Sequence, residues 1–359
     1  MIRLTWRQFR AQATVAFGAL AVIAVALAIT GPQLVHLYHT SVVPCQAQGD
    51  CSIATSAFVS RDKLLQGLGV VLVVVPGIIG VFWGAPLLAR ELETGTYKLA
   101  WAQSVPRKRW LAVKLGLVGL SSIAVAGLLS LMVTWWSSPI DRVNADPFTV
   151  FDQRGIVPFG YAAFAFALGV TAGMLLRRTL PAMAATLVVF TGARLAVTNW
   201  VRPYLLAPFR IVSGVQAPAG NGPSNPAAAV PNPADWILSD QTVNAAGHVI
   251  GQDGAISYGG GRFGILFGLA GDGRTTLRGV GLCPNRFPAP TGAAPGEGPS
   301  AAFNRAAQEC ITRLQVRQVL TYQPTSRYWP LQWYELAIFA GLALVLAGFC
   351  FWWVRRRFA

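Results

Sequence analysis

The chain has 359 residues, of which 53% are hydrophobic and 12% charged, with a net charge of +15 and a mean hydropathy of +0.48. Soluble domains carry roughly a quarter charged residues, so this composition excludes an ordinary soluble protein and indicates an integral membrane protein. The basic charge does not indicate nucleic-acid binding, because the densest Lys/Arg clusters are short and border apolar segments.

Residues 1–13 precede the first apolar segment and alternate apolar with basic side chains. This pattern predicts an amphipathic cytoplasmic helix that lies at the membrane surface before the chain turns into the bilayer. The alternative is a simple basic flank to the first span.

Six apolar segments have the roughly 20-residue length that a helix needs to cross a bilayer. They are Ala13–Leu34, Leu64–Ala89, Leu115–Trp136, Pro158–Leu176, Leu180–Trp200 and Leu331–Val354. The first exceeds the roughly 7–15 apolar residues of a signal peptide, so we expect it to be retained as a helix. The fifth contains Arg194, which either extends to the membrane surface or faces other helices.

Lys and Arg are concentrated on one side of the predicted membrane. With a cytoplasmic N-terminus, the inside segments hold 14 of these residues in 45 positions, and the outside segments hold 14 in about 185. Short cytoplasmic loops carry an excess of Lys and Arg. We therefore expect a multi-pass protein of the plasma membrane with both termini in the cytoplasm.

The predicted domains are the N-terminal helix of residues 1–13, five transmembrane helices in residues 14–199, an extracytoplasmic domain of residues 200–330, and the last helix with a basic tail in residues 331–359. The outer domain is rich in Gly and Pro and has a mixed α+β pattern. Its predicted elements are strands at His248–Ile250 and Phe263–Phe267 and a helix at Ser300–Gln318. The fold class is thus an all-α polytopic membrane protein with a smaller α+β domain before its last helix.

The fourth and fifth spans are joined by a very short turn. Small side chains near it would let the two helices pack closely as a hairpin. These are Gly169, Gly173, Ala182 and Ala185.

Five cysteines divide into two outer pairs and one residue inside the last span. Cys45 shares an outer loop with Cys51, and Cys283 shares the large outer segment with Cys310. Disulfides form on the oxidising face of a membrane, so the arrangement predicts two disulfides and leaves Cys350 unpaired. Reduced thiols are the alternative.

Motifs for catalysis or nucleotide binding are absent: there is no G-x-x-x-x-G-K-[ST], H-E-x-x-H or G-x-S-x-G. We therefore expect a non-enzymatic chain without a cofactor or metal of its own. Glu91 and Glu93 lie at one predicted membrane edge and Glu335 at the other, and acidic residues are absent from the membrane interior. Ion-coupled carriers place carboxylates at depth, so this absence disfavours a secondary carrier and favours an external energy source.

The loop between the second and third spans, residues 90–110, has an ordered pattern of acidic residues, Gly, Thr and basic residues. It resembles the first cytoplasmic loop of type-2 exporter (ABC-2 type) ABC transporter permeases, and the matching positions are Arg90, Glu91, Glu93, Gly95, Thr96, Ser104 and Arg107. The run from Tyr322 to Glu335 is similar to permeases of this type from high-GC actinobacteria. The outer domain is the departure, since such permeases have only a short re-entrant loop there.

In that family this loop forms a coupling helix that docks into a groove of a cytoplasmic ABC ATPase, which binds ATP and Mg. The resemblance implies that ATPase as a partner, together with a second permease, either identical or homologous, in the lipid bilayer. It implies coupling roles for Arg90, Glu91, Glu93, Gly95, Thr96, Tyr97 and Trp101. Two alternatives are a membrane receptor or sensor whose outer domain binds a ligand, and, less favoured, a membrane enzyme.

Overall fold

The computed structural model describes residues 2–46, 63–95, 106–138, 147–214, 232, 234–243, 245–247, 249–252, 312, 315 and 317–357. The chain divides into two compact units. The helical unit comprises Met1–Leu206 and Tyr328–Ala359, and the second unit comprises Ala207–Arg327.

Six helices make up the helical unit in the described part of the chain. Helix α1 spans Ile2–Leu37 and continues through Tyr38–Val42 and Val43–Gln46, and α2 consists of Lys63–Ile79, a π-helical turn Gly80–Gly84 and Ala85–Thr94. The others are α3 (Arg107–Trp136), α4 (Val157–Leu176), α5 (Thr179–Ala196, extended by Val197–Val201 and Arg202–Tyr204) and α6 (Tyr328–Arg357). All six are long and apolar enough to cross a membrane, which confirms the six predicted spans.

Helix α1 differs from the sequence-based expectation in its first turns. The helix runs from Ile2 to Leu37 without a break, so residues 1–13 do not form a separate helix that turns before the span. The ring of Phe9, in this first part, meets the ring of Trp83 of α2 edge-on at a centroid distance of 4.8 Å. That buried contact keeps the start of α1 packed on the bundle, which explains why the chain does not turn there.

Helix α4 lies at the centre of the helical unit and packs against α2, α3, α5 and α6. Its glycines allow very close approach to α2: a Cβ added to Gly80 or Gly84 of α2 would lie 2.6 Å from a carbonyl oxygen of α4. Gly169 and Gly173 of α4 face the backbone of this same stretch of α2. The prediction that they pack the α4–α5 hairpin is therefore wrong, because their bare backbone is used against α2 instead.

Ala182 was likewise predicted to pack the α4–α5 hairpin, and it too is packed against α2. Its side chain is fully buried in a cluster with Ala85 and Ala89 of α2. Small side chains on both helices thus bring the first turn of α5 against the last turns of α2.

A second set of contacts holds α1 and α6 to the bundle. The Trp136 indole of α3 donates to the Thr30 hydroxyl of α1 at 3.0 Å. In α6, Cys350 is a free, buried thiol whose sulfur lies 3.3 Å from the Thr171 hydroxyl of α4. This agrees with the expectation that Cys350 is the unpaired cysteine inside the last span.

The second unit contains an antiparallel sheet of four strands, β1 (Phe209–Gly214), β2 (Trp236–Val243), β3 (Val249–Gln252) and β4 (Arg317–Gln323), in the order β1-β4-β2-β3. Strand β4 is central, with Val319 opposite Val212 of β1 and Gln241 of β2. This sheet confirms the mixed α+β character, and β3 overlaps the predicted strand His248–Ile250.

The end of the predicted helix Ser300–Gln318 is wrong, since β4 already begins at Arg317. Gln315 has a positive φ of 47°, which ends any helix before it. The predicted strand Phe263–Phe267 lies outside the described residues. So do Cys51, Cys283 and Cys310, and both disulfide pairings therefore stay predictions.

Candidate functional site

The loop predicted to couple the chain to an ATPase begins where α2 ends. Gly95 follows Thr94 with a φ of 71°, the left-handed conformation that stops helices and that side chains with a Cβ rarely adopt. Residues 96–105, including Thr96, Tyr97 and Trp101, lie outside the described residues, and α3 begins at Arg107. The end of the bundle that carries this loop and the α4–α5 turn is called the loop end below.

Glu91 joins α2 to α3 at the loop end. Its carboxylate forms an ion pair with the ammonium of Lys114, which is buried and lies over the ring of Trp110 at 4.8 Å. Glu91 and Lys114 also line a cavity of about 290 Å³ together with Gln12 of α1. The pair connects the helix before the loop to the helix after it.

Glu93 joins the same helix to α5. One oxygen of its carboxylate accepts the backbone N–H of Thr179 at 3.1 Å and the Thr179 hydroxyl at 2.8 Å. Thr179 is the first residue of α5, and its preceding residue Arg178 makes no side-chain capping bond to the helix. A carboxylate from α2 therefore supplies the cap that α5 lacks in its own sequence.

The four predicted coupling residues that the structure describes fall into two groups. Arg90 is exposed and lines the cavity beside Glu91, and Gly95 ends the helix. Glu91 and Glu93 turn their carboxylates toward neighbouring helices of the chain itself. The positions of Thr96, Tyr97 and Trp101 stay predictions.

At the opposite end of the bundle, a buried ionic network joins helices that are distant in sequence. Arg202 binds Glu335 of α6 through two nitrogens, at 2.7 and 2.9 Å, and also pairs with Asp152 before α4. The Tyr161 hydroxyl of α4 lies 2.6 Å from Glu335 and 3.0 Å from Asp152. Glu335 is fully buried among these side chains. Its place at the membrane edge stays a prediction.

Arg194 completes this network and faces the bundle, which resolves the alternatives left open by the sequence. Its guanidinium donates to the Val73 carbonyl of α2 at 2.5 Å, lies 3.6 Å from the Asp152 carboxylate and stacks over Tyr161 at 4.5 Å. The accepting carbonyl is next to that of Leu72, which has no helical N–H donor because Pro76 stands four residues after it. The network holds two arginines and two carboxylates, and it is therefore neutral.

A groove of about 590 Å³ between α2 and α5 has Arg194 and Asp152 among its lining residues. The rest of its wall is mostly apolar, with Phe82 and Phe190 as the largest side chains. An apolar wall with one charged end has the chemistry to contact an amphiphilic molecule.

The two arginines of α5 were a sequence signal for this network, although the sequence analysis did not predict it. Arg194 and Arg202 lie eight positions apart, two turns of α5, and a long apolar helix with two arginines needs partners of opposite charge. Asp152 and Glu335 are among the acidic residues near span ends on the same side. Their pairing depends on how α4, α5 and α6 pack, which the charges alone did not reveal.

Comparison with known proteins gives one family match. The model of the family described as ABC-2 membrane transporter related matches residues 17–202, which is more than half of the chain. This range contains most of α1, all of α2, α3 and α4, α5 as far as Arg202, and the residues on both sides of the loop between α2 and α3. No curated protein and no solved structure matches.

Proposed function

This chain belongs to the ABC-2 membrane transporter related family, and we propose that it is the membrane-spanning permease subunit of a transporter driven by a separate cytoplasmic ABC ATPase. The chain itself supplies the helices, and ATP with Mg binds to the partner. A second permease, identical or homologous, completes the transporter in the plasma membrane.

The observation that carries this proposal is the family match over residues 17–202, which includes the end of α2, the loop and the start of α3. The geometry of the loop end supports it. Gly95 stops α2 and redirects the chain, and the Glu91–Lys114 pair fixes the base of the loop on both sides. A loop anchored in this way can transmit a push from a docked protein to the helices.

The receptor alternative is not favoured by the same match. The family match covers the helices and ends at residue 202, before the second unit begins at Ala207. The match therefore covers transmembrane helices and the loop end. The sheet-containing unit lies outside the matched residues.

The proposal is tested by co-purification in mild detergent with a candidate ABC ATPase from the same cell. We expect a stable complex with the wild-type chain, and about tenfold weaker binding after Tyr97→Ala or Trp101→Ala, because aromatic residues commonly dominate interfaces. Trp200→Ala is the matched control, since Trp200 is 74% exposed near the opposite end of α5. Absence of a complex with every candidate ATPase would refute the permease role, and equal binding by all variants would refute docking through Tyr97 and Trp101.

A further inference from the structure

Two carboxylates at the end of α2 diverge to opposite neighbours. Side chains two positions apart on an α-helix point about 200° apart, so Glu91 and Glu93 cannot serve the same partner. Glu91 reaches Lys114 of α3, whereas Glu93 reaches Thr179 at the start of α5. The last turn of α2 therefore holds the first turns of two other helices.

The Glu93 contact is a helix cap supplied across the fold. Helix α5 has no acidic residue in its first turn and no side-chain bond from its own N-cap residue Arg178. Its first N–H and the hydroxyl of its first residue both go to one oxygen of Glu93. The positive end of the helix dipole favours a carboxylate in this place.

Side-chain packing also joins the start of α5 to the end of α2, independently of the hydrogen bonds to Glu93. Ala182, one turn into α5, is fully buried against Ala85 and Ala89, which precede Glu93 on α2. Only a turn of two residues, 177–178, separates α4 from α5, and Arg177 has a left-handed φ of 53°. The start of α5 is thus held by two neighbours: the short turn joins it to α4, and the alanine cluster and the Glu93 cap join it to α2.

We propose that Glu93 is a positioning residue that joins α5 to the coupling loop, rather than a residue that contacts the ATPase. This inference rests on the proposed function. When the docked ATPase moves the loop, the end of α2 moves, and the cap from Glu93 to Thr179 makes α5 follow. Loop motion then reaches α5, which forms one wall of the groove with α2, without an ATPase contact of its own.

The test compares variants in the purified complex with the ATPase, reconstituted in lipid nanodiscs, by two readouts: the amount of bound ATPase and the rate of ATP hydrolysis. We expect Glu93→Ala and Thr179→Val to keep the bound ATPase and to lower hydrolysis about twofold or more, the range for mutations that weaken coupling between sites. Thr179→Ser keeps the hydroxyl and is expected to hydrolyse at the wild-type rate. Thr14→Val is the matched control, because the Thr14 hydroxyl bonds only within α1, to the Ala11 carbonyl, among the described contacts.

A second variant tests whether the two helix ends move as one. The double substitution Glu93→Cys/Thr179→Cys, joined by a short bifunctional thiol reagent, is expected to hydrolyse ATP at the rate of the wild-type complex. Loss of bound ATPase in Glu93→Ala would overturn the inference, because it would show direct docking. Wild-type hydrolysis in both Glu93→Ala and Thr179→Val, or inhibition by the cross-link, would overturn it as well. Failure of the proposed function is distinguishable, since the wild-type chain would then bind no ATPase at all.

Discussion

Arg202 and Glu335 are charged residues that the bundle can bury only together. Arg202 is 4% exposed and Glu335 is fully buried, and two hydrogen bonds join the guanidinium to the carboxylate. Moving either charge out of water costs several kcal/mol, which their attraction and the bonds from Tyr161 offset. The pair links α5 to α6 at the end opposite the loop, so it stabilises the packing of the helical unit there.

At this scale we predict that Glu335→Ala destabilises the chain by about 3–5 kcal/mol, because it leaves the Arg202 guanidinium buried without its main partner. Thermal unfolding in detergent, with the conservative Glu335→Gln beside it, measures the effect. The double variant Glu335→Ala/Arg202→Leu is expected to recover much of the loss, since no lone charge remains.

Leu344→Ala is the control on the same helix, because Leu344 is 73% exposed in the described structure. A Glu335→Ala variant that unfolds at the temperature of this control would show that the ion pair does not stabilise the bundle.

Two helices in this bundle, α4 and α5, are capped by side chains of other helices rather than by their own flanking residues. The amide of Gln332 in α6 accepts the N–H groups of Ile156 and Val157 at the start of α4, both at 3.1 Å, just as Glu93 of α2 serves α5. Close packing follows the same rule, since the glycines of α4 face the backbone of the π-helical turn in α2. The starts of α4 and α5 therefore depend on the positions of α6 and α2.

The contact between Gly169 of α4 and the backbone of α2 leaves no room for a larger side chain. Gly169→Leu would force its side chain into the Gly80 carbonyl and the Ala85 amide, and overpacking of this kind typically costs about 1–3 kcal/mol or more. We expect a lower yield of folded protein and a lower unfolding temperature in detergent.

Gly192→Leu in α5 is the matched control, because a Cβ at Gly192 meets no atom within 4 Å. Equal yields and unfolding temperatures for the two variants would contradict the close approach of α2 and α4.

In the whole molecule, hydrophobic length predicted the six helices because a bilayer imposes that length directly. The end of α2 at Gly95 was also predictable, since a glycine after a helix favours the left-handed stop. The burial of Glu335 was not predictable from its position, because it depends on an arginine 133 positions earlier in the chain. The partner of Glu93 was not predictable either, because Thr179 lies 86 positions later in the chain and meets Glu93 only through helix packing.

The proposed function requires that the loop end faces the cytoplasm, since only there can a cytoplasmic ATPase reach it. A membrane-impermeant thiol reagent applied to a Thr96→Cys variant tests this claim, with the wild-type chain measured beside it to subtract labelling of the native cysteines. We expect labelling at position 96 in inverted membrane vesicles and none in intact cells. Labelling of position 96 in intact cells would place the loop outside and contradict ATPase docking altogether.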